Sequence, residues 1–151
     1  GSRCGGPARG DQVLTQLRRR LTTRRCSAAP NGDMAAFLDV ARRSFVCVQQ
    51  AWDRADLTAL SAFATEPLFE ELRSQLAERG PGPNHTEVVR IEARLLGVED
   101  LREAQVASVE FSGLIREQQD ALPIPFRELW MLARLQGPDP SWRVARVQAL
   151  S

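Results

Sequence analysis

The chain has 151 residues, of which 43% are hydrophobic and 26% charged, with a formal net charge of +1. That length suits one domain with a sizeable core, and no apolar run approaches the ~18 residues of a membrane-spanning helix. Cys4, Cys26 and Cys47 form no CxxC pair, which excludes a disulfide framework and a cysteine zinc site and suggests a reducing compartment.

The near-neutral total conceals an asymmetry. Residues 1–32 hold seven arginines and one acid, a net of +6, while residues 33–151 hold thirteen arginines and eighteen acids, a net of −5. Every basic side chain is Arg and none is Lys, as GC-rich coding would give. The chain therefore reads as a basic arm, residues 1–32, joined to an acidic domain, residues 33–151. Gly1-Ser2 reads as a remnant of tag cleavage, with the native N-terminal region expected upstream, and the start has no signal-peptide pattern.

Within the arm, residues 1–10 are rich in Gly, Pro and Arg and read as linker. Asp11 can cap a short helix in which Val13, Leu14, Leu17 and Leu21 share one face. Arg18, Arg19, Arg20, Arg24 and Arg25 surround that stripe, making a basic amphipathic segment that breaks at residues 26–32.

Asp33 is the predicted N-cap of a long helix. Met34, Phe37, Leu38, Ala41, Phe45, Val48 and Trp52 recur every three or four residues along it. A short helix fits Leu57 to Phe63. Thr65 can cap a third, with Pro67 in its first turn, Leu68, Leu72 and Leu76 on one face, and Gly80 at its end. The period then falls to two. Val89, Ile91, Ala93 and Leu95 alternate with polar residues, as do Ala107, Val109, Phe111, Gly113 and Ile115, where Leu114 interrupts the polar side. Phe126 to Leu135 is apolar on both faces and predicts a central strand covered on both sides. Trp142 to Ala149 forms the last strand after the turn at Gly137-Pro138-Asp139-Pro140. Helices followed by a four-stranded antiparallel meander predict an α+β domain with helices on one face of the sheet.

Chemistry-bearing patterns are scarce. His85 stands alone in a Pro/Gly-rich turn, and no metal, nucleotide or nucleophile motif occurs. No catalytic residue, metal site or cofactor is expected. Glu70-Glu71 on the third helix are expected to place one or both side chains in water. Glu128 lies between Phe126 and Trp130 on an apolar strand face, where it either acts as an acid or base or pairs with Arg146 or Arg116. Trp52, Phe111, Phe126, Trp130 and Trp142 either pack as core or line a hydrophobic groove. The basic arm suits anionic lipid, the phosphates of a nucleic acid, or a role as a solvated tether or a segment lying against the acidic domain, with nucleic acid last of the three. No nucleic-acid role is expected, because the domain is acidic and interleaves no aromatic and basic residues on a strand face.

Together, Phe37-Leu38, Ala41-Arg42, Phe45, Val48-Gln49, Ala51-Trp52-Asp53, Asp56-Leu57, Leu60 and Phe63, then Ala107-Ser108-Val109, Phe111-Ser112-Gly113, Phe126, Glu128, Trp130, Trp142, Ala145, Val147 and Gln148, resemble the Tim44-like domain family. Residues 76–80, Asn84 and residues 111–117 resemble its betaproteobacterial members. The resemblance covers about residues 34–150. It implies a cone-shaped fold similar to nuclear transport factor two. It also implies a non-enzymatic tether at the bacterial inner membrane, facing the cytoplasm, that contacts lipid and a protein partner and is preceded by an anchor. Arg146-Val147-Gln148 departs from the family's Gly-Ile-Gln, placing a guanidinium beside the presumed groove. Thr65-Glu66-Pro67 shifts its Thr-Pro. Two other readings are a small-ligand-binding protein or a small isomerase- or dehydratase-like enzyme of the same cone-shaped fold, the enzyme working through Glu128, and a homodimer joined through the exposed sheet face.

Overall fold

The computed structural model describes residues 23–27 (by their backbone), 33–80, 85–138 and 140–150. The elements run β1 (Thr23–Ser27), α1 (Met34–Arg54), α2 (Leu57–Phe63), α3 (Glu66–Arg79), β2 (Glu87–Leu101), β3 (Ala104–Arg116), β4 (Ile124–Leu135) and β5 (Arg143–Ala149). The strands form one sheet in the order β1-β2-β3-β4-β5, every pair antiparallel. The expected α+β arrangement of N-terminal helices on a four-stranded meander is present as β2–β5, and β1 adds a fifth strand at its edge.

Strand β1 lies inside the segment read from sequence as arm. Its backbone pairs Thr23 with Leu101 and Arg25 with Asp100, so the sheet reaches into residues placed N-terminal to the boundary at residue 33. Arg24 and Arg25 belong to a strand rather than to the amphipathic helix. β-branched Thr23 suits an extended chain, and the open edge of β2 supplies the backbone partners. Arg18, Arg19 and Arg20, with the rest of the predicted arm helix, lie outside the described residues.

The helices begin and end where local chemistry sets them. Asp33 caps α1, its Oδ1 accepting the Ala36 N–H at 3.0 Å, which satisfies one of the orphan donors of the first turn. Helix α1 ends at Ala55, in the left-handed region at φ 54°. There the Asp56 N–H reaches back to the Ala51 carbonyl at 2.8 Å, a Schellman-type closure. Asp56 then caps α2 through the Ala59 N–H at 3.0 Å. Thr65 occupies the N-cap of α3, but its hydroxyl makes no cap bond. Its N–H instead donates to the Val144 carbonyl at 2.8 Å, tying α3 to β5. Gly80, at φ 80°, terminates α3.

Pleating divides the sheet into two faces. Ala107, Val109, Phe111 and Ile115 of β3 face the helices and join Phe37, Ala41, Phe45, Val48 and Trp52 of α1 in the main core. A smaller cluster of Leu101, Ala104, Val106 and Met131, with Leu129 against it, forms a second apolar centre. Its members alternate with the main-core residues along β3 and β4, so it lies on the opposite face. This meets the expectation that β4 is covered on both sides: Trp130, Met131, Leu132 and Ala133 are all buried. A register shift between Leu95 and Gly97 carries β2 on to Leu101, beyond the alternation visible in the sequence. The bulge leaves Leu96 half exposed and inverts the pattern downstream.

Candidate functional site

The five predicted groove residues do not form an open groove. Trp52, Phe111, Phe126 and Trp130 are core residues, and Trp142 packs partly exposed at the margin. The cause is Phe45, projected from the middle of α1 into the sheet. Its ring lies 4.8 Å from Phe111, 4.9 Å from Trp130 and 5.3 Å from Phe126, centroid to centroid. Phe111 and Trp130 meet edge to face at 5.2 Å. Four rings at these separations are in van der Waals contact and fill the space a groove would need. Trp142 meets Phe37 edge to face at 5.1 Å, and the Arg134 guanidinium lies 5.0 Å from its ring centroid, within cation–π range.

Glu128 lies inside this aromatic cluster, 2% exposed. Its Oε1 accepts the Trp130 indole N–H at 2.9 Å. The pairing with Arg146 raised from sequence is not formed. Arg146 stands opposite Met131 in the register, whereas Glu128 stands opposite Ala149. The odd offset puts Arg146 on the other face of the sheet, where it donates to Gln148 Oε1. The guanidinium that departs from the family pattern therefore lies away from the aromatic interior. Arg116 likewise lies on that outer face, with Glu87 within 3.6 Å.

A second feature was not anticipated. The C-terminal half of α1 and the start of β2 flank an open cleft of about 460 Å³ with a mixed polar and apolar lining, Val46 and Val88 included. Asp53, Arg54, His85 and Glu87 line it, with Gln49 at its inner wall. Asp53 sets its shape, because Oδ2 accepts the Thr86 N–H at 2.7 Å and fixes the entry of β2 against α1. Gln49 is 2% exposed. His85 is exposed beside the opening. Behind the cleft, Arg79 donates through Nη1 to the Trp52 carbonyl at 2.7 Å, and its guanidinium lies 5.3 Å from the Trp52 ring centroid. Gln49 was legible in principle, since it shares the helical stripe of Phe45, Val48 and Trp52. Asp53 and Arg79 carried no such signal, because their partners are backbone groups brought near by the fold. Of the Glu70-Glu71 pair, Glu70 faces water and pairs with Arg73 at 2.5 Å, whereas Glu71 is buried.

Among the described residues, no group of three or more His, Cys, Asp or Glu is placed to hold a metal ion. No described helix is long and apolar enough to cross a membrane.

Helices packed on one face of an antiparallel meander, with an aromatic interior, define the class of fold. The chain belongs to the Tim44-like domain family, which matches residues 20–149. Two solved structures are similar in shape. One is a ketosteroid isomerase-like protein from Erwinia carotovora atroseptica, 15% identical, covering 76% of this chain and 96% of that one with a TM-score of 0.43. The other is a nuclear transport factor 2-like superfamily protein from Salmonella enterica serovar Typhimurium, 9% identical, covering 79% of this chain and 93% of that one with a TM-score of 0.47. No curated protein matches the sequence.

Proposed function

We propose that this chain is a non-enzymatic binding and tethering domain of the bacterial inner membrane, of the betaproteobacterial type within its family. The arginines at 18, 19, 20, 24 and 25 meet anionic lipid, and the folded domain engages a protein partner on the cytoplasmic side. The observation that carries this reading is the filled interior. Phe45, Phe111, Phe126 and Trp130 occupy the space beside Glu128, and the Trp130 indole holds one oxygen of its carboxylate. A substrate for an isomerase- or dehydratase-like reaction would have to displace aromatic core to reach that acid. A concave surface feature is the cleft of Asp53, Arg54, His85 and Glu87, where Val46 and Val88 add apolar surface, a mixed lining of the kind protein partners meet. The charge division supports the lipid half of the reading. The arm carries a net of +6, and each arginine near an anionic surface contributes on the order of 1 kcal/mol.

Co-sedimentation of the full chain with anionic and neutral vesicles, across a salt series, tests it. The wild-type chain should pellet with anionic vesicles at low salt and lose them as salt rises. Replacing Arg18, Arg19, Arg20, Arg24 and Arg25 together by Gln should abolish pelleting while leaving the far-ultraviolet circular dichroism unchanged. Equal pelleting of the variant would remove the arm from the mechanism.

A further inference from the structure

We propose that the outer edge of β5 pairs with the same edge of a second copy of this chain, about a two-fold axis at Gln148. The contact joins two sheets edge to edge. It stands apart from the lipid and partner reading given above and does not depend on it.

The first ground is the direction of the backbone groups. Strand β5 is last in the sheet order, so one of its edges meets no described strand. The Leu150 N–H donates to the Arg127 carbonyl at 2.8 Å, which turns the backbone groups of Leu150 toward β4. In an antiparallel ladder that direction alternates residue by residue. Gln148, opposite Leu129, therefore also turns toward β4. Val147, opposite Trp130, and Ala149, opposite Glu128, turn away from it. The other end of the strand agrees. Beyond the register shift, where Ala145 has no register partner, the Val144 carbonyl points outward and accepts the Thr65 N–H at 2.8 Å. The start of α3 thus closes the edge at Val144. Val147 and Ala149 present outward N–H and C=O groups that no backbone group of another described element meets.

The second ground is sequence. Exposed edges are ordinarily guarded by charge or proline. Strand β5 carries arginines at 143 and 146, but Val147, Gln148, Ala149 and Leu150 bear no charge. Ala149 is exposed, so the edge there is within reach of another strand.

The third ground is self-complementarity. Val147 and Ala149 flank Gln148. An antiparallel two-fold at Gln148 sets Val147 of each copy opposite Ala149 of the other, and both pairs exchange their N–H···O bonds. Gln148 then meets Gln148 of the second copy in a non-hydrogen-bonded position, with Cα atoms ~4.5 Å apart. Each side-chain amide there offers both a donor and an acceptor. Arg146 stands opposite Leu150 of the second copy, so no like charges oppose each other. The Thr65 closure at Val144 lies past the paired residues. A foreign strand would have to bring a matching register, whereas a second copy already carries it. So short a ladder buries little area, which sets a weak and reversible dimer.

Sedimentation velocity of the full chain, in reductant and from micromolar to millimolar concentration, should show a reversible monomer–dimer shift. Ala149→Pro removes an outward N–H and spares the ladder to β4. It should abolish the shift with circular dichroism unchanged. Cross-linking gives a second reading that does not require that variant to fold. In a background of Cys4→Ser, Cys26→Ser and Cys47→Ala, Gln148→Cys places two thiols across the axis within disulfide range. Mild oxidation should link that variant rapidly into dimers, and should not link Arg127→Cys, which lies on the sheet face. A chain that stays monomeric throughout overturns the proposal. Dimerisation that a folded Ala149→Pro leaves intact overturns it too, as does cross-linking at 127 equal to that at 148, which would assign the contact to the sheet face.

Discussion

Glu128 and Arg146 lie on adjacent strands but on opposite faces of the sheet. Glu128 faces the helices and accepts from Trp130 at 2.9 Å, while Arg146, opposite Met131, lies on the outer face with Gln148. An acid buried in an aromatic core is thus held through an indole N–H of its own strand.

That bond makes Glu128 more than a packing residue. Glu128→Leu removes the acceptor of a buried indole N–H and should destabilise the domain by about 1–3 kcal/mol. Glu128→Gln keeps an oxygen in place and should cost less. Urea denaturation of both variants measures the difference, and equal losses would show that the Trp130 contact is not what the carboxylate supplies.

Gly113 is required by a close approach. At φ 155°, a Cβ built there would stand 1.9 Å from the Arg90 carbonyl oxygen, a backbone atom beside the irregularity in β2. Gly113→Ala must therefore move one strand against another, at an expected loss of about 1–3 kcal/mol. A lowered Tm without change in the helical circular dichroism signal is the expected result.

Ala55 offers the converse. It is the one described non-glycine residue at positive φ, and it closes α1. Ala55→Gly should relieve the left-handed strain and raise stability by about 0.5–1 kcal/mol. Chemical denaturation reads this as a higher midpoint at unchanged slope.

Asp53 fixes the cleft. Asp53→Ala leaves the Thr86 N–H without its 2.7 Å acceptor, which should cost about 1 kcal/mol in a partly buried position. Amide exchange at Thr86 should accelerate more than exchange in the middle of β3. Uniform acceleration would mean that the bond supports the whole domain rather than the mouth of the cleft.

Most of the fold was legible because two periodicities change cleanly along the chain. The stripe Phe37, Ala41, Phe45, Val48 and Trp52 fixes α1 and its buried face, and Asp33 marks its start. The two-sided apolar run at Trp130, Met131, Leu132 and Ala133 gives a strand with both faces covered. Strand β1 was hidden, because five residues with two arginines carry little apolar signal and become a strand only through the waiting edge of β2. The reach of β2 beyond Leu95 was hidden by its bulge, which reverses the parity on which the reading relied. The site was less legible than the fold. An aromatic set looks alike whether it lines a groove or fills a core, and it was Phe45 that decided between them. The cleft depends on Asp53 meeting a backbone amide 33 positions away, a contact that no local pattern records.

The pairing of Thr23 with Leu101 also orders events in time. Strands β2 to β5 are joined to their neighbours by short connections and can zip as successive hairpins. Strand β1 must wait, because α1, α2, α3 and nearly all of β2 are synthesised between its two halves of the ladder. Closing so long a loop costs entropy that only a preformed edge repays. The earliest residues of the folded unit to leave the ribosome are therefore the last to find their place, and the first to be given up when the domain opens.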